Sequence, residues 1–273
     1  MGQGEEKITG PRIIAVSSGK GGVGKTNLVA NMALFYAGLN KRVLIFDADL
    51  GLSNIDVLFG VAPKFNLKHV FSGEKNLRDI VLKGPSGVMI IPASSGIRAL
   101  TDLKAEQKLR LISDLEHFNN FFDVMLIDTG AGISDNVLFF CSAAQETIVI
   151  VTPEPTSIAD AYALIKVLLR DFGERHFRIL VNTARNEKEA FDTFRKLYIV
   201  ADKFLNLSLD YLGYLPFDQH VKDSIIAQKG YITMYPNSAF TKKLGEVGRK
   251  LLDHSINREM KSTMQFFKEA LRV

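Results

Sequence analysis

The sequence predicts a three-layer α/β fold, a mostly parallel twisted sheet with helices on both faces. Three observations carry it. Near-continuous apolar runs at residues 13–16, 43–46, 88–91, 124–127, 147–151 and 177–181, interrupted only by Thr147 and Arg178, show no inside–outside alternation, as strands buried on both faces require. Stretches of helical periodicity separate many of them, and that alternation builds a parallel sheet. Two strands end in carboxylates, at Asp47 and Asp49 and at Asp128, the end of a parallel sheet where ligands gather.

The first strand runs into Gly19-Lys20-Gly21-Gly22-Val23-Gly24-Lys25-Thr26 and then an apolar-periodic helix ending near Gly38, with Leu28, Met32, Leu34 and Phe35 turned to the core. This fits G-x-x-x-x-G-K-[ST], and the strand before it and helix after it are the context of a phosphate-binding loop. Gly21, Gly22 and Gly24 let the backbone curl with its N–H groups inward around phosphate oxygens. Lys25 then meets the β and γ oxygens, the Thr26 hydroxyl meets Mg²⁺, and the helix N-terminus adds its positive end. Gly19, Val23 and Asn27 complete the stretch expected to touch ATP. Lys20 is a second lysine beyond the generic motif, a further positive charge near a phosphoryl group in transit.

The strand at residues 41–49 delivers Asp47 and Asp49, expected on the metal's water shell and on the attacking water respectively. Residues 50–71 read as a switch-like irregular segment followed by a short helix, continued at 77–82; Gly51, Gly60 and Pro63 mark its turns. After the strand at 88–92, residues 104–122 form an amphipathic helix with Leu109, Ile112 and Leu115 on its inner side.

Residues 122–132 form the second strong signal. A hydrophobic strand ending in Asp128 places a carboxylate on Mg²⁺ or its waters, and Gly130 with Gly132 gives a loop able to swing N–H groups onto a γ-phosphate. A helix opens near residue 156 with Ser157 or Thr156 as N-cap and runs through Arg170. Asn182, just past the strand at 177–181, offers an amide that could read a base edge or simply turn the chain. The mixed-charge helix at 187–205 leads to a last strand at 209–215. Beyond it Pro216 and Asp218 are placed to pack on an adenine ring, Asp218 serving equally as N-cap of the helix through Gln228. Leu244, Val247, Leu251 and Leu252 are core at helical spacing.

At residues 256–273, Ile256, Met260, Met264, Phe267 and Leu271 share one stripe, with Arg258, Lys261, Lys268 and Arg272 together to one side. That is the makeup of a helix lying in an anionic membrane surface, and also of a helix docked on its own domain. The expected organisation is a polar tail at residues 1–12, one domain at 13–255 and this C-terminal helix.

A chain of 273 residues, 47% hydrophobic and 23% charged, suits one large globular domain, which would bury about 75% of its unfolded surface. The net charge of +4 is a weak bias towards an anionic ligand or membrane. Lys and Arg are scattered along the chain, so direct DNA binding is not expected. The single cysteine, Cys141, forms no internal disulfide and suits a reducing cytosol. Residues 1–12 have no apolar core of a secretory signal, and no apolar run approaches ~20 residues, so nothing is expected to span a bilayer.

From residue 12 to the C-terminal helix the sequence resembles the MinD/ParA class of deviant Walker A ATPases, whose loop carries the lysine found here as Lys20. Within that class it is most similar to flagellar-number regulators of the FlhG/FleN type. The matching segments are Lys25-Thr26-Asn27, residues 47–58, residues 128–133 and residues 154–166. The resemblance implies a P-loop NTPase fold and a homodimer sandwiching two ATP, with Mg²⁺, Lys20 acting in trans, Asp49 aligning water, and Asn182, Pro216 and Asp218 around adenine. It implies slow regulatory hydrolysis to ADP and phosphate, and a C-terminal helix that tethers the ATP dimer to the inner face of the cell membrane, including its poles. Implied partners are a signal-recognition-type GTPase that places the flagellum, a flagellar transcriptional activator and flagellar switch proteins. The tail at 1–12 departs from members that carry an activator helix upstream, which puts stimulation of the GTPase by this tail in doubt. A septum-placing MinD, a DNA-coating ParA and an electron-transferring nitrogenase iron protein are the competing members; the last needs two cysteines per chain.

Overall fold

In the computed structural model, which describes residues 10–51, 54–93 and 103–253, β1 (Arg12–Ser18) feeds the glycine loop into α1 (Lys25–Gly38) and then β2 (Val43–Ala48). Short helices α2 (Ile55–Leu58) and α3 (Leu67–Phe71) precede β3 (Leu82–Lys83) and β4 (Met89–Ile91). Next come α4 (Ala105–Glu116), β5 (Val124–Ala131), α5 (Asp135–Ala143), β6 (Glu146–Val151), α6 (Pro155–Phe172) and β7 (Phe177–Ala184). The chain continues with α7 (Glu187–Leu205), β8 (Asp210–Pro216), α8 (His220–Ile226), α9 (Tyr231–Met234) and α10 (Ala239–Asp253). The sheet order is β3-β4-β2-β5-β1-β6-β7-β8, and every pairing is parallel except β3 with β4.

Successive strand residues face opposite layers, which is why the strands read as unbroken apolar runs. Ile14, Val16, Val43 and Ile45 pack with α1 and α10, whereas Ile13, Ala15, Leu44 and Phe46 pack with α4 to α7. At the base of the sheet Glu146, 5% exposed, holds Arg12 at 2.5 Å and Arg178 at 3.0 Å, and Arg12 also donates to the Leu252 carbonyl at the end of α10. Lys250 donates to the carbonyls of Tyr211 and Leu212, covering the β8 edge with a charge.

The structure corrects four expectations, the first at α8, whose N-cap is Gln219 and not Asp218 and which ends at Ile226. Leu109 is 48% exposed; Leu111, Ile112 and Leu115 make the inner stripe of α4. The stretch at 77–82 is a 3₁₀ turn (Leu77–Ile80) that runs into β3, a two-residue antiparallel edge strand too short to show a period. The N-cap of α6 is Glu154 with Pro155 at the first position, and the Ser157 hydroxyl instead accepts the Thr152 N–H at 3.0 Å. Residues 1–9 and 256–273, including Ile256, Met260, Met264, Phe267 and Leu271, lie outside the described residues. No helix among the described residues is long and apolar enough to cross a membrane.

Candidate nucleotide site

The loop between β1 and α1 is shaped by two glycines with positive φ, Gly22 at 77° and Gly24 at 95°, a region costly for a residue with Cβ. Gly24 is the N-cap of α1, and its carbonyl accepts the Leu28 N–H at 3.0 Å. Gly19 is needed for a different reason. A Cβ there would stand 2.1 Å from the Asp160 backbone, so α6 rests directly on the loop. Gly21, Gly22, Gly24, Lys25, Thr26 and Asn27 line a cleft of 780 Å³ whose other walls include Asp49, Asn54, Val57, Gly130 and Ile225.

Lys25 and Asp49 line the cleft, and two further carboxylates, Asp128 and Asp47, are buried next to Lys25 without lining it. Lys25 is 8% exposed; burial lowers its pKa, opposed by the charges of Asp128 and Asp49. Asp47 and Asp128 are 1% exposed and lie side by side in the β2–β5 register. Burial first, and the Asp47 charge second, push the Asp128 carboxyl far above the ordinary carboxylate range, against a hydrogen bond from Thr26 and the charge of Lys25. Its Oδ1 has no hydrogen-bond partner among the described residues. A divalent cation would satisfy that oxygen and relieve the repulsion, so Thr26, Asp47 and Asp128 fit Mg²⁺ by donor type and charge. Asp47 also pins the next segment: its Oδ1 accepts the Asp49 N–H at 3.2 Å, and its Oδ2 those of Asn54 at 3.3 Å and Ile55 at 3.4 Å. A Cβ on Gly130 would lie 3.7 Å from Asp49 Oδ1, which sets Asp49 beside the β5 loop.

Lys20 faces elsewhere. Its ammonium donates to Glu154 and, at 3.1 Å, to the Thr156 hydroxyl at the start of α6, and it does not line the cleft.

The ParA family model, described as the NUBPL iron-transfer P-loop NTPase, matches residues 10–252. The chain belongs to the ParA/MinD family of P-loop NTPases. It is 43% identical over 260 residues to the antiactivator FleN of Pseudomonas aeruginosa, covering 95% of this chain and 93% of that one. The flagellum site-determining protein YlxH of Helicobacter pylori is 32% identical, covering 96% and 90%. Among solved structures, the MinC:MinD cell division complex of Aquifex aeolicus superposes with a TM-score of 0.74 at 25% identity, covering 91% and 98%.

Within this ParA/MinD-family site, the residues expected around adenine share one corner of the sheet, since β7 and β8 pair with Ala184 opposite Pro216. Asn182 donates its amide to the Val23 carbonyl at 2.8 Å and so braces the phosphate loop. Asp218 accepts from the His220 N–H at 2.8 Å and from the Tyr231 hydroxyl at 2.6 Å. None of Asn182, Pro216 and Asp218 lines the cleft.

Sequence reasoning missed Glu154 and Thr156 as partners of Lys20, because a contact across 134 residues leaves no local pattern. It also missed Asn31, whose signal was available as Asn27 and Asn31 one turn apart on an apolar helix. The Asn31 amide donates to the Asn27 carbonyl at 2.8 Å and Oδ1 at 2.9 Å, and its Oδ1 accepts the Ile232 N–H at 3.1 Å. Asn27 Nδ2, buried in the cleft wall, has no hydrogen-bond partner among the described residues and is a donor suited to a phosphate oxygen.

Proposed function

We propose that this protein is an ATP-driven dimerising switch that controls flagellar number and placement, binds the membrane as an ATP dimer and leaves it after hydrolysis. One observation carries the reading. The loop has two lysines with separate duties: Lys25 is buried among the carboxylates of its own cleft, and Lys20 lies outside that cleft on Glu154 and Thr156. A cation that does not serve its own pocket is free to serve the pocket of a second copy.

In this mechanism the loop N–H groups and Lys25 hold the phosphates, and Asn27 adds a donor. Asp49, beside Gly130, accepts a hydrogen bond from water and aligns it with the γ-phosphorus. Thr26 and Asp128, with Asp47 through water, would hold Mg²⁺, which would supply positive charge to offset that of the phosphates. Lys20 leaves Glu154 and enters the partner copy's site as charge develops there, as an arginine finger does. Loss of the γ-phosphate removes the shared contacts, and the dimer opens.

Similarity to YlxH, named a flagellum site-determining protein, supports the flagellar reading, and similarity to FleN, named an antiactivator, supports a regulatory one. Matches to putative septum site-determining MinD proteins, such as that of Emiliania huxleyi, reach 35% identity but span only 77% of this chain, a shorter likeness than either. A flagellar-placement GTPase, a flagellar transcriptional activator and switch proteins are the partners this role would use. Iron transfer has no cysteine pair to work with, since Cys141 is the one cysteine and is buried.

Deleting the gene in its host separates the readings: altered flagellar number is expected, whereas minicells with normal flagellation would move the protein to septum placement. For the membrane step, removal of residues 256–273 should abolish ATP-dependent sedimentation with anionic liposomes, and unchanged sedimentation would remove that segment from the mechanism.

A further inference from the structure

The net charge of +4 is small, but it is not spread evenly. Residues 64–83 hold Lys64, Lys68, Lys75, Arg78 and Lys83 against Glu74 and Asp79, so three of the four excess charges fall in twenty residues. The fold gathers them around α3, the 3₁₀ turn (Leu77–Ile80) and β3, at one edge of the sheet.

Aromatic rings set the pose of these cations. The Lys75 ammonium lies 4.4 Å from the centroid of Phe65 and that of Lys64 lies 5.4 Å from it, while His69 meets the same ring at 5.3 Å. The Arg78 guanidinium lies 4.7 Å from the centroid of Phe121 and 5.8 Å from that of Phe118. Ring contacts fix long side chains without neutralising them, so both the geometry and the charge are kept.

Carboxylates do not neutralise them either. Among the described residues none of the five cations forms an ion pair. Asp79 is turned to its own backbone, accepting the Asn76 N–H at 3.0 Å. Lys64, Lys68, Arg78 and Lys83 are exposed. Like charges held close and unpaired repel, and incoming carboxylates would relieve that repulsion while being steered by it.

We propose that this face docks a carboxylate-rich segment of a partner polypeptide, with Lys64 and Lys75 on Phe65 as one contact point and Arg78 on Phe121 as the other. A lipid surface fits less well, because interfacial binding sinks a stripe of apolar side chains, and of the rings that hold these cations Phe121 alone is exposed and lies against the Arg78 guanidinium.

The test is fluorescence anisotropy of the full chain with a labelled peptide rich in Glu and Asp, at low and high salt. Two double variants of equal net charge are compared, Lys64→Glu with Lys75→Glu on this face and Lys188→Glu with Lys196→Glu on α7. Wild type and the α7 variant are expected to bind alike, and the face variant at least about tenfold more weakly; high salt should bring wild type down to the face variant. Equal loss in the two variants, or loss in neither, overturns the proposal. So does peptide binding too weak to detect while anionic vesicles or a DNA duplex are retained by wild type and released by the face variant. If the face double variant fails to fold, Lys64→Glu with Arg78→Glu, both exposed, replaces it with the same expectation.

Discussion

Lys20 and Lys25 stand on one loop and face opposite ways: Lys25 turns into the cleft beside Asp128 and Asp49, and Lys20 turns out to Glu154 at the start of α6. The glycines between and around them make this possible, since Gly22 and Gly24 carry the positive φ angles that reverse the chain.

The two lysines therefore fail differently when removed. Lys25→Ala should weaken ATP binding about a hundredfold or more, because it deletes a buried charge-assisted contact to phosphate. Lys20→Ala should leave ATP affinity within about twofold and lower turnover about a hundredfold or more. Equilibrium binding of a fluorescent ATP analogue, read beside phosphate release, checks both.

Gly19 and Gly21 give a paired test of the loop's packing. A methyl at Gly19 would overlap the Asp160 backbone at 2.1 Å, and one at Gly21 meets nothing within 4 Å. Gly19→Ala should cost roughly 2–4 kcal/mol, since backbone must move to admit it, and Gly21→Ala less than about 0.5 kcal/mol. Denaturant unfolding without nucleotide measures both.

Asp128 is placed for function at the expense of stability. Burial and the neighbouring Asp47 charge disfavour its ionised form, so Asp128→Asn should raise the stability of the nucleotide-free protein by about 1–2 kcal/mol, or roughly 2–6 °C in melting temperature. The same substitution should abolish the extra stabilisation that Mg-ATP gives over ATP with EDTA. A melting series with and without EDTA reports both effects.

Acid should release the α8–α9 corner. Asp218 is partly desolvated, which alone would raise its pKa, but hydrogen bonds from Tyr231 and His220 hold it below 3.8. A lowered folded pKa means that the stabilisation is complete above the unfolded value and fades as pH falls through the folded one. Asp218→Asn should cost about 1 kcal/mol at pH 7 and progressively less as pH falls through the folded carboxyl's lowered pKa. A pH series of unfolding midpoints for the two proteins checks the convergence.

The phosphate loop, the strand-end acids and the three layers were legible because each is local: a glycine pattern, an apolar run, a carboxylate at its end. Asp47 and Asp128 could be placed at the cleft from the strands alone. Their pairing, and the staple from Asp47 to Asn54 and Ile55, needed the register of β2 on β5. Glu154 was legible as part of a segment and not as the partner of Lys20, because sequence does not show where an exposed lysine rests. Leu109 misled for a related reason: α4 has apolar residues on both sides of its stripe, and only packing decides which set is covered. The basic face at residues 64–83 was hidden by counting charge over the whole chain.

The central claim is that two chains close over shared ATP, each lending Lys20 to the other. Light scattering on Asp49→Ala protein, which should bind ATP without turning it over, measures this most directly. With Mg-ATP the mass should be twice the 30.3 kDa of the chain, and it should return to 30.3 kDa with ADP or when Lys20→Ala is added. A mass of 30.3 kDa under every nucleotide condition, with ATP shown to be bound, would contradict the account.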